Sequence, residues 1–280
     1  VAITKTVKKV KLVNSNGFEG VYDYTNMELD TWTLNSQGFT STNKEHSSGQ
    51  LPTVTDEDIE RQLHLHRLSD VSVEIGNEKM PVVFSGTTMG SLMLRVVGGV
   101  NGSNVHKNIS PVVGKIGEQL FSDKITIRDD ATLPYGMNTM SFDDEGTPAQ
   151  NTLLYDRGVL KGYLTTVGNA KKIGITPTGN AIKRTLFSKE IEDSPSVFET
   201  NLIVEGDNVP DEDIIKGIKR GLYITGVMGA HTGNINQGEF SMNISSGYLI
   251  EDGVMVGKVK GAMIAGNIYE IGRASCRERV

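Results

Sequence analysis

The chain has 280 residues and a mass of 30.4 kDa, with 37% hydrophobic, 22% charged and 6% aromatic residues. That is ample length to bury a core as one large domain or two ordinary ones. With 28 Lys and Arg against 34 Asp and Glu the net charge is −6; no apolar run approaches the roughly 18–20 residues of a bilayer span, which argues against a membrane protein, and no basic stripe suits displacement of phosphate counterions, which argues against a nucleic-acid reader.

In chain order, Val7, Val10 and Leu12 with lysines between them read as a half-buried strand. Lys5, Lys8, Lys9 and Lys11 are a short basic edge, best read as a solvated strand face. Two related units, Asn14-Ser15-Asn16-Gly17-Phe18 and Asn35-Ser36-Gln37-Gly38-Phe39, read as turns at strand ends, because Asn and Gly tolerate positive φ. Glu19 to Leu34 between them is β-rich. Thr55 before Asp56, Glu57 and Asp58 predicts a capped helix running to about Leu68.

Strands are expected at Pro81–Phe84 and Ile125–Ile127, with a helix around Met89–Val97 between them. Leu153–Leu160 reads as a hairpin turning at Asp156–Gly158, Val167–Ile173 as a short helix, and Val197–Glu205 as a strand. Pro210, Asp211–Asp213 and the stripe Ile214, Ile215, Ile218 and Leu222 predict the clearest helix of the chain. Glu239–Ile264 reads as β structure with turns at Ser246-Gly247 and Asp252-Gly253. Strands dominate without a βαβ rhythm, so the expected fold is α+β with largely antiparallel sheet.

The end of the chain breaks with what precedes it. Glu270 and Ile271–Val280 resemble a sequencing adapter translated in frame, and the segment is set aside as non-native. It carries the single cysteine, Cys276. The remainder has no thiol for a disulfide, metal or nucleophile, which fits a reducing compartment. No charged leader with an apolar core and cleavage site opens the chain, so secretion is not expected.

The search for chemistry is short. The histidines are His46, His64, His66, His106 and His231; none is followed by Glu and no two are four apart, so no helical zinc pair is written. His64 and His66 point to opposite sides of a helix and read as solvent-facing. Gly98-Gly99-Val100-Asn101-Gly102 lacks the Lys-Ser/Thr of a phosphate loop and reads as a flexible loop, and no G-x-S-x-G elbow occurs. Asp143-Asp144-Glu145 has the residue types for acid–base work or a hard cation, but three adjacent acids diverge and read as a solvated turn before Gly146.

From about Val82 to Tyr269 the chain resembles the TldD/PmbA family, and its PmbA (TldE) branch in particular. The resemblance rests on ordered motifs: Asp129-Asp130, Phe142-Asp143-Asp144-Glu145-Gly146, Gly158-Val159-Leu160, Ala170-Lys171-Lys172-Ile173-Gly174, Thr178-Gly179-Asn180-Ala181, Gly221-Leu222-Tyr223-Ile224, Gly238-Glu239-Phe240-Ser241, Gly247–Gly253 and Gly266-Asn267. It implies a remnant of an α/β N-terminal domain over 1–80, a strand-rich C-terminal domain over 81–270 and a non-native tail over 271–280. It also implies a cytoplasmic heterodimer, or in some branches a homodimer, that cleaves linear, unfolded peptides with zinc. The catalytic branch carries a His-Glu-x-x-x-His helix and a ligand cysteine. The corresponding helix here, near Thr87–Arg95, has none of the three helical ligands.

The resemblance therefore implies a non-catalytic subunit without its own metal or cofactor, with zinc expected in a TldD-like partner. An extended peptide pairs with strand edges through its backbone, and glycine-lined strands let it come close. On that basis Asp144, Glu145, Gly146 and Thr147, Thr178, Gly179 and Asn180, and Gly238, Glu239, Phe240 and Ser241 are candidates for a peptide cleft or subunit contact, with His231 as a possible substrate contact. The alternatives are a stand-alone peptide-binding or scaffold protein and an enzyme with a site around Asp143–Glu145.

Overall fold

A computed structural model describes residues 1–35, 38–47, 51–184, 193–207 and 209–274. Strands β1 (Ala2–Val13), β2 (Glu19–Asn35) and β3 (Gly38–Ser47) form an antiparallel sheet in that order. The β1–β2 turn forms as its residues predict: Asn14 Oδ1 accepts from the amides of Asn16 (2.9 Å) and Phe18 (3.2 Å), and Gly17 takes φ 86°. The second such unit includes residues 36 and 37, which lie outside the described residues. Helix α1 (Asp56–Leu68) starts at a Thr55–Asp58 capping box and packs on β2 and β3. There Gln62 Nε2 donates to Thr31 O (3.1 Å) and His66 Nδ1 lies 3.1 Å from Thr33 Oγ1, so His66 faces the sheet rather than solvent.

The remaining elements follow in chain order: β4 (Ser72–Val73), β5 (Val82–Phe84), α2 (Gly86–Val100), α3 (Gly102–His106), β6 (Thr126–Asp130), β7 (Asn151–Asp156), β8 (Val159–Leu160), α4 (Val167–Ile173), β9 (Ala181–Ile182) and β10 (Ser196–Val197). Then come β11 (Leu202–Glu205), α5 (Asp211–Lys216), β12 (Arg220–Met228), a 3-10 turn at Ile235–Gln237, β13 (Glu239–Glu251), β14 (Val254–Val259), β15 (Met263–Asn267) and α6 (Ile268–Ala274). One sheet has the order β4-β14-β13-β12-β5, with β15 also on β13; a second has the order β11-β6-β7-β8, and β9 pairs with β10. Among the described strands only β5–β12 and β4–β14 pair in parallel. The fold is α+β with largely antiparallel sheet.

Helix α2 joins these sheets into one core. Leu92, Val96 and Val100 recur every four residues and are fully buried. They share a cluster with Leu154, Tyr155 and Leu160 from the four-stranded sheet and Ile224, Met242 and Ile244 from the six-stranded one. The N-terminal sheet docks through Phe142, whose ring meets Phe18 and Tyr22 edge-on at 5.0 Å each.

Further expectations are corrected, all but the last by a distant contact. Gly98–Gly102 is not a flexible loop but the buried end of α2 and start of α3; a Cβ at Gly98 would press on Ile235, and one at Gly99 would overlap the Tyr269 hydroxyl. The 197–205 strand is split into β10 and β11, because the Thr200 amide turns inward to Asp129. The helix after Pro210 stops at Lys216, and Leu222 lies in β12; Gly221 sits against Pro81 O, where β12 meets β5. Strand β13 runs straight through Ser246-Gly247, and the irregularity appears as a bulge at Gly226 opposite. Val7 is 67% exposed, on the face of β1 opposite Val10 and Leu12. The predicted hairpin turn does form, with Arg157 at φ 45° and Gly158 at φ 76°, and α4 ends on left-handed Gly174. Residues 275–280, with Cys276, lie outside the described residues; Ile271 and Gly272 of α6 contact the core and Phe121.

Truncating Phe142 to Ala is expected to cost about 3–5 kcal/mol. Limited proteolysis should then cut within β1–β3 before the rest of the chain.

Candidate functional site

The sequence candidates assemble into two groups on two sheets. The first gathers around buried carboxylates. Asp143 is 2% exposed. Its Oδ1 accepts from the amides of Glu145 (3.0 Å) and Thr147 (2.9 Å), and its Oδ2 from the amide of Ala181 (3.0 Å). Asp144 is bound to β9 and to the residue after it: its amide donates to Ala181 O (2.9 Å), and its Oδ2 accepts from Lys183 N (2.7 Å). Glu145 Oε2 accepts from Val167 N (2.7 Å) at the first turn of α4, where a negative charge meets the helix dipole.

Asp129, at the end of β6, makes a second buried centre. Its Oδ2 accepts from Asn180 Nδ2 (2.6 Å) and Thr200 Oγ1 (3.0 Å), and its Oδ1 from Thr200 N (2.7 Å). Thr178 Oγ1 accepts from Thr165 N at 2.8 Å. Gly179 takes φ 74°, and a Cβ there would lie 2.6 Å from Pro148 O, so a side chain is excluded on both counts. Burial pushes the carboxyls of Asp129 and Asp143 above their ordinary range, against the pull of these hydrogen bonds. Tyr22 reaches this corner from β2; burial and then the Asp144 charge push its phenol up to about 12.

This arrangement binds chain to chain. The Asp143 and Asp129 oxygens accept from main-chain amides and from Asn180 and Thr200, geometry that fixes turns rather than moving protons. The acidic run is therefore a buried knot, not the solvated turn its composition suggests. Asp129 and Asp143 are its centres; the Asp-x-x-Gly spacing of a side chain capping its own turn was the available signal for Asp143.

The second group lies at the start of β13. Gly238 takes φ 84°, where a Cβ would meet the Tyr269 ring, and Phe240 is buried. Glu239–Asn243 pairs with β15 on one side. On the other side the carbonyls are already engaged: Thr232 Oγ1 donates to Ser241 O, and Arg95 Nε donates to Glu239 O (3.1 Å). His231 is exposed on the β12–β13 connection.

Arg95 organises this group, and composition gave no hint of it beyond a single cation in the apolar stripe of α2. It is fully buried. Besides Glu239 O, it donates to Ser91 O (2.9 Å) and Ala230 O (2.5 Å) from Nη1 and to Thr232 O (2.8 Å) from Nη2. Burial pulls its pKa down. Four carbonyl dipoles thus surround the guanidinium and fix the connection that carries His231. Among the described residues no group of three or more His, Cys, Asp or Glu side chains is placed to hold a metal ion.

Comparison with known proteins places this geometry in context. Residues 77–275 match the family described as the PmbA/TldA metallopeptidase C-terminal domain. An uncharacterized protein of Methanocaldococcus jannaschii is 38% identical over 168 residues, 60% of this chain and 38% of its own length. A metalloprotease TldD homolog of Haemophilus influenzae is 34% identical over 208 residues, 74% of this chain and 42% of its own. The crystal structure of TldE from Thermococcus kodakarensis superposes with a TM-score of 0.82 at 26% identity, covering 96% of this chain and 60% of that one. The chain thus spans about two fifths of the length of these curated relatives.

Two substitutions test the two centres. Asp143→Asn retains one acceptor oxygen but turns an amide donor toward a main-chain N–H, and is expected to cost about 1–3 kcal/mol in denaturant unfolding. Because the native carboxyl titrates above its unfolded value, its contribution is largest below that value and falls as pH rises through the native pKa. The deficit of the variant should therefore shrink as pH rises from acid toward neutrality. Arg95→Met leaves buried carbonyls without donors and is expected to cost about 3 kcal/mol, with residues 229–233 becoming the first site of proteolytic cleavage.

Proposed function

The chain belongs to the PmbA/TldD metallopeptidase family, and on that premise we propose that it is a PmbA/TldE-type non-catalytic subunit of a zinc peptidase that acts on linear, unfolded peptides. The relatives named TldD and the fold shared with a TldE support a partnership of the TldD/TldE kind. In this reading residues 1–80 are the end of an N-terminal domain, 81–270 the C-terminal domain, and 271–280 a non-native tail. The partner is a TldD-like subunit or a second copy, and the compartment is the cytoplasm. No helix among the described residues is long and apolar enough to cross a membrane.

The observation that carries the reading is α2. Catalytic zinc takes three protein ligands from imidazole, thiolate or carboxylate. Between Gly86 and Val100, α2 offers no such group. Its buried polar side chains are Thr88, paired with Ser85 Oγ at 3.0 Å, and Arg95. A guanidinium fixed by main-chain carbonyls repels a dication brought to that face of the helix. The residues present do not fit zinc, and no hydrolytic step is assigned to them.

What the chain brings is shape. The Asp143 and Asp129 knots hold the 143–147 and 178–181 turns, and Arg95 holds the β12–β13 connection, so candidates from Asp144 to Asn180 and from His231 to Ser241 stand on fixed supports for a peptide or a partner subunit. The test is co-expression of the full-length protein with a neighbour encoding His-Glu-x-x-x-His. Stoichiometric zinc and cleavage of an unfolded peptide are expected from the pair and from neither property of this protein alone. Hydrolysis by this protein alone, with zinc bound to its own side chains, would overturn the assignment.

A further inference from the structure

An Asn followed by Gly readily loses its side-chain amide, because a residue without Cβ lets the next main-chain nitrogen approach the Asn side chain. The chain has two such pairs, Asn16-Gly17 and Asn101-Gly102, and the fold treats them differently. Asn101 is held at both ends of its amide: Nδ2 donates to Val197 O (3.3 Å) and Oδ1 accepts from Ser103 N (2.9 Å). The Gly102 amide donates to Leu164 O (2.8 Å), and a Cβ at Gly102 would stand 2.6 Å from Thr165 Cγ2, so the backbone has no room to turn. Asn16 lies in the β1–β2 turn. Its side chain forms no hydrogen bond among the described residues, and the Gly17 amide is held by Asn14 O at 3.2 Å.

The same turn seats the N-terminal sheet. Asn14 Oδ1 accepts from both Asn16 N (2.9 Å) and Phe18 N (3.2 Å), and Asn14 Nδ2 donates to Glu145 O (3.4 Å). The Phe18 ring meets Phe142 and closes on Gly146, where a Cβ would lie 2.9 Å from it.

We propose that Asn16 is a site of spontaneous deamidation, and that isoaspartate formed there unseats the N-terminal sheet from Phe142. The Gly17 nitrogen gives up its proton and attacks Asn16 Cγ. The new C–N bond closes a succinimide ring as the Cγ–Nδ2 bond breaks, and Nδ2 leaves as ammonia with that proton. Water then opens the ring at either carbonyl, giving aspartate or isoaspartate; nothing is oxidised or reduced. Isoaspartate routes the main chain through the former side chain and so inserts one methylene between the amides of residue 16 and Phe18. Those two amides share the acceptor Asn14 Oδ1, so the longer path draws Phe18 N off it and shifts the ring that meets Phe142 and Gly146. Aspartate adds the same charge without the extra atom and leaves the turn in place.

The experiment is storage of the full-length protein at mildly alkaline pH, so that every segment packed on the turn is present. Tryptic peptides are followed by electron-transfer mass spectrometry, which separates aspartate from isoaspartate. Both products are expected at residue 16, at least about tenfold faster than at residue 101, the ratio that one further hydrogen bond of ordinary strength sustains. In denaturant the two pairs should react at similar rates. Aged protein should be cut by protease within β1–β3 sooner than fresh protein, and an isoaspartate methyltransferase should restore its resistance. Asn16→Gln should abolish this ageing, and fresh Asn16→Asp should resist cleavage as the wild type does. Asn16 unchanged after storage, Asn101 reacting as fast in the folded protein, the folded-state ratio persisting in denaturant, ageing that survives in Asn16→Gln, or early cleavage of fresh Asn16→Asp would each overturn the proposal.

Discussion

A guanidinium buried without a carboxylate is the constraint on which the larger sheet depends. An isolated charge in a low-dielectric interior is costly unless dipoles surround it, and Arg95 meets that requirement with main-chain carbonyls from α2, the β12–β13 connection and β13. The consequence runs outward. The connection cannot relax away from α2 without stranding the charge, so the start of β13 is held on the side opposite β15, and the aromatic contact of Gly238 with Tyr269 follows from that placement.

The carboxylates on the other sheet obey the same rule with the sign reversed. Asp143 is buried and met by main-chain amides, and Asp129 is buried and met by the Thr200 amide together with the side chains of Asn180 and Thr200. In these centres the charge is matched to backbone dipoles and neutral polar groups rather than to an opposite charge. This ties each charged residue to one chain path, since a backbone dipole has a fixed place and direction once the fold forms. It also explains why residue types that suggest acid–base chemistry serve here as supports: their oxygens are engaged in holding turns.

Much of the fold was legible in residues close together in sequence. The Asn14–Phe18 turn, the Thr55 cap, the Asp156–Gly158 hairpin and α4 ending at Gly174 each arise from contacts within about four residues, and each formed where its signal stood. The misreadings share the opposite property. Leu222 fits the helical stripe after Pro210, but pairing of β12 with β5 and β13 takes it into a strand. Thr200 fits the alternation of one strand, but Asp129, 71 residues away, draws its amide inward. Ser246-Gly247 fits a turn, yet the sheet on both sides keeps β13 extended.

The order of motifs along the chain was enough to place it in its family, and the absence of imidazole and carboxylate on one helix was enough to question a metal there. Both are facts of residue identity, which no folding alters. The tertiary structure alone decided what the charged residues do: that Asp143 meets Ala181 across 38 positions and Arg95 meets Glu239 across 144. Pattern and propensity act over a turn or two of chain, whereas the energy of a buried charge depends on which distant backbone dipoles the fold brings against it.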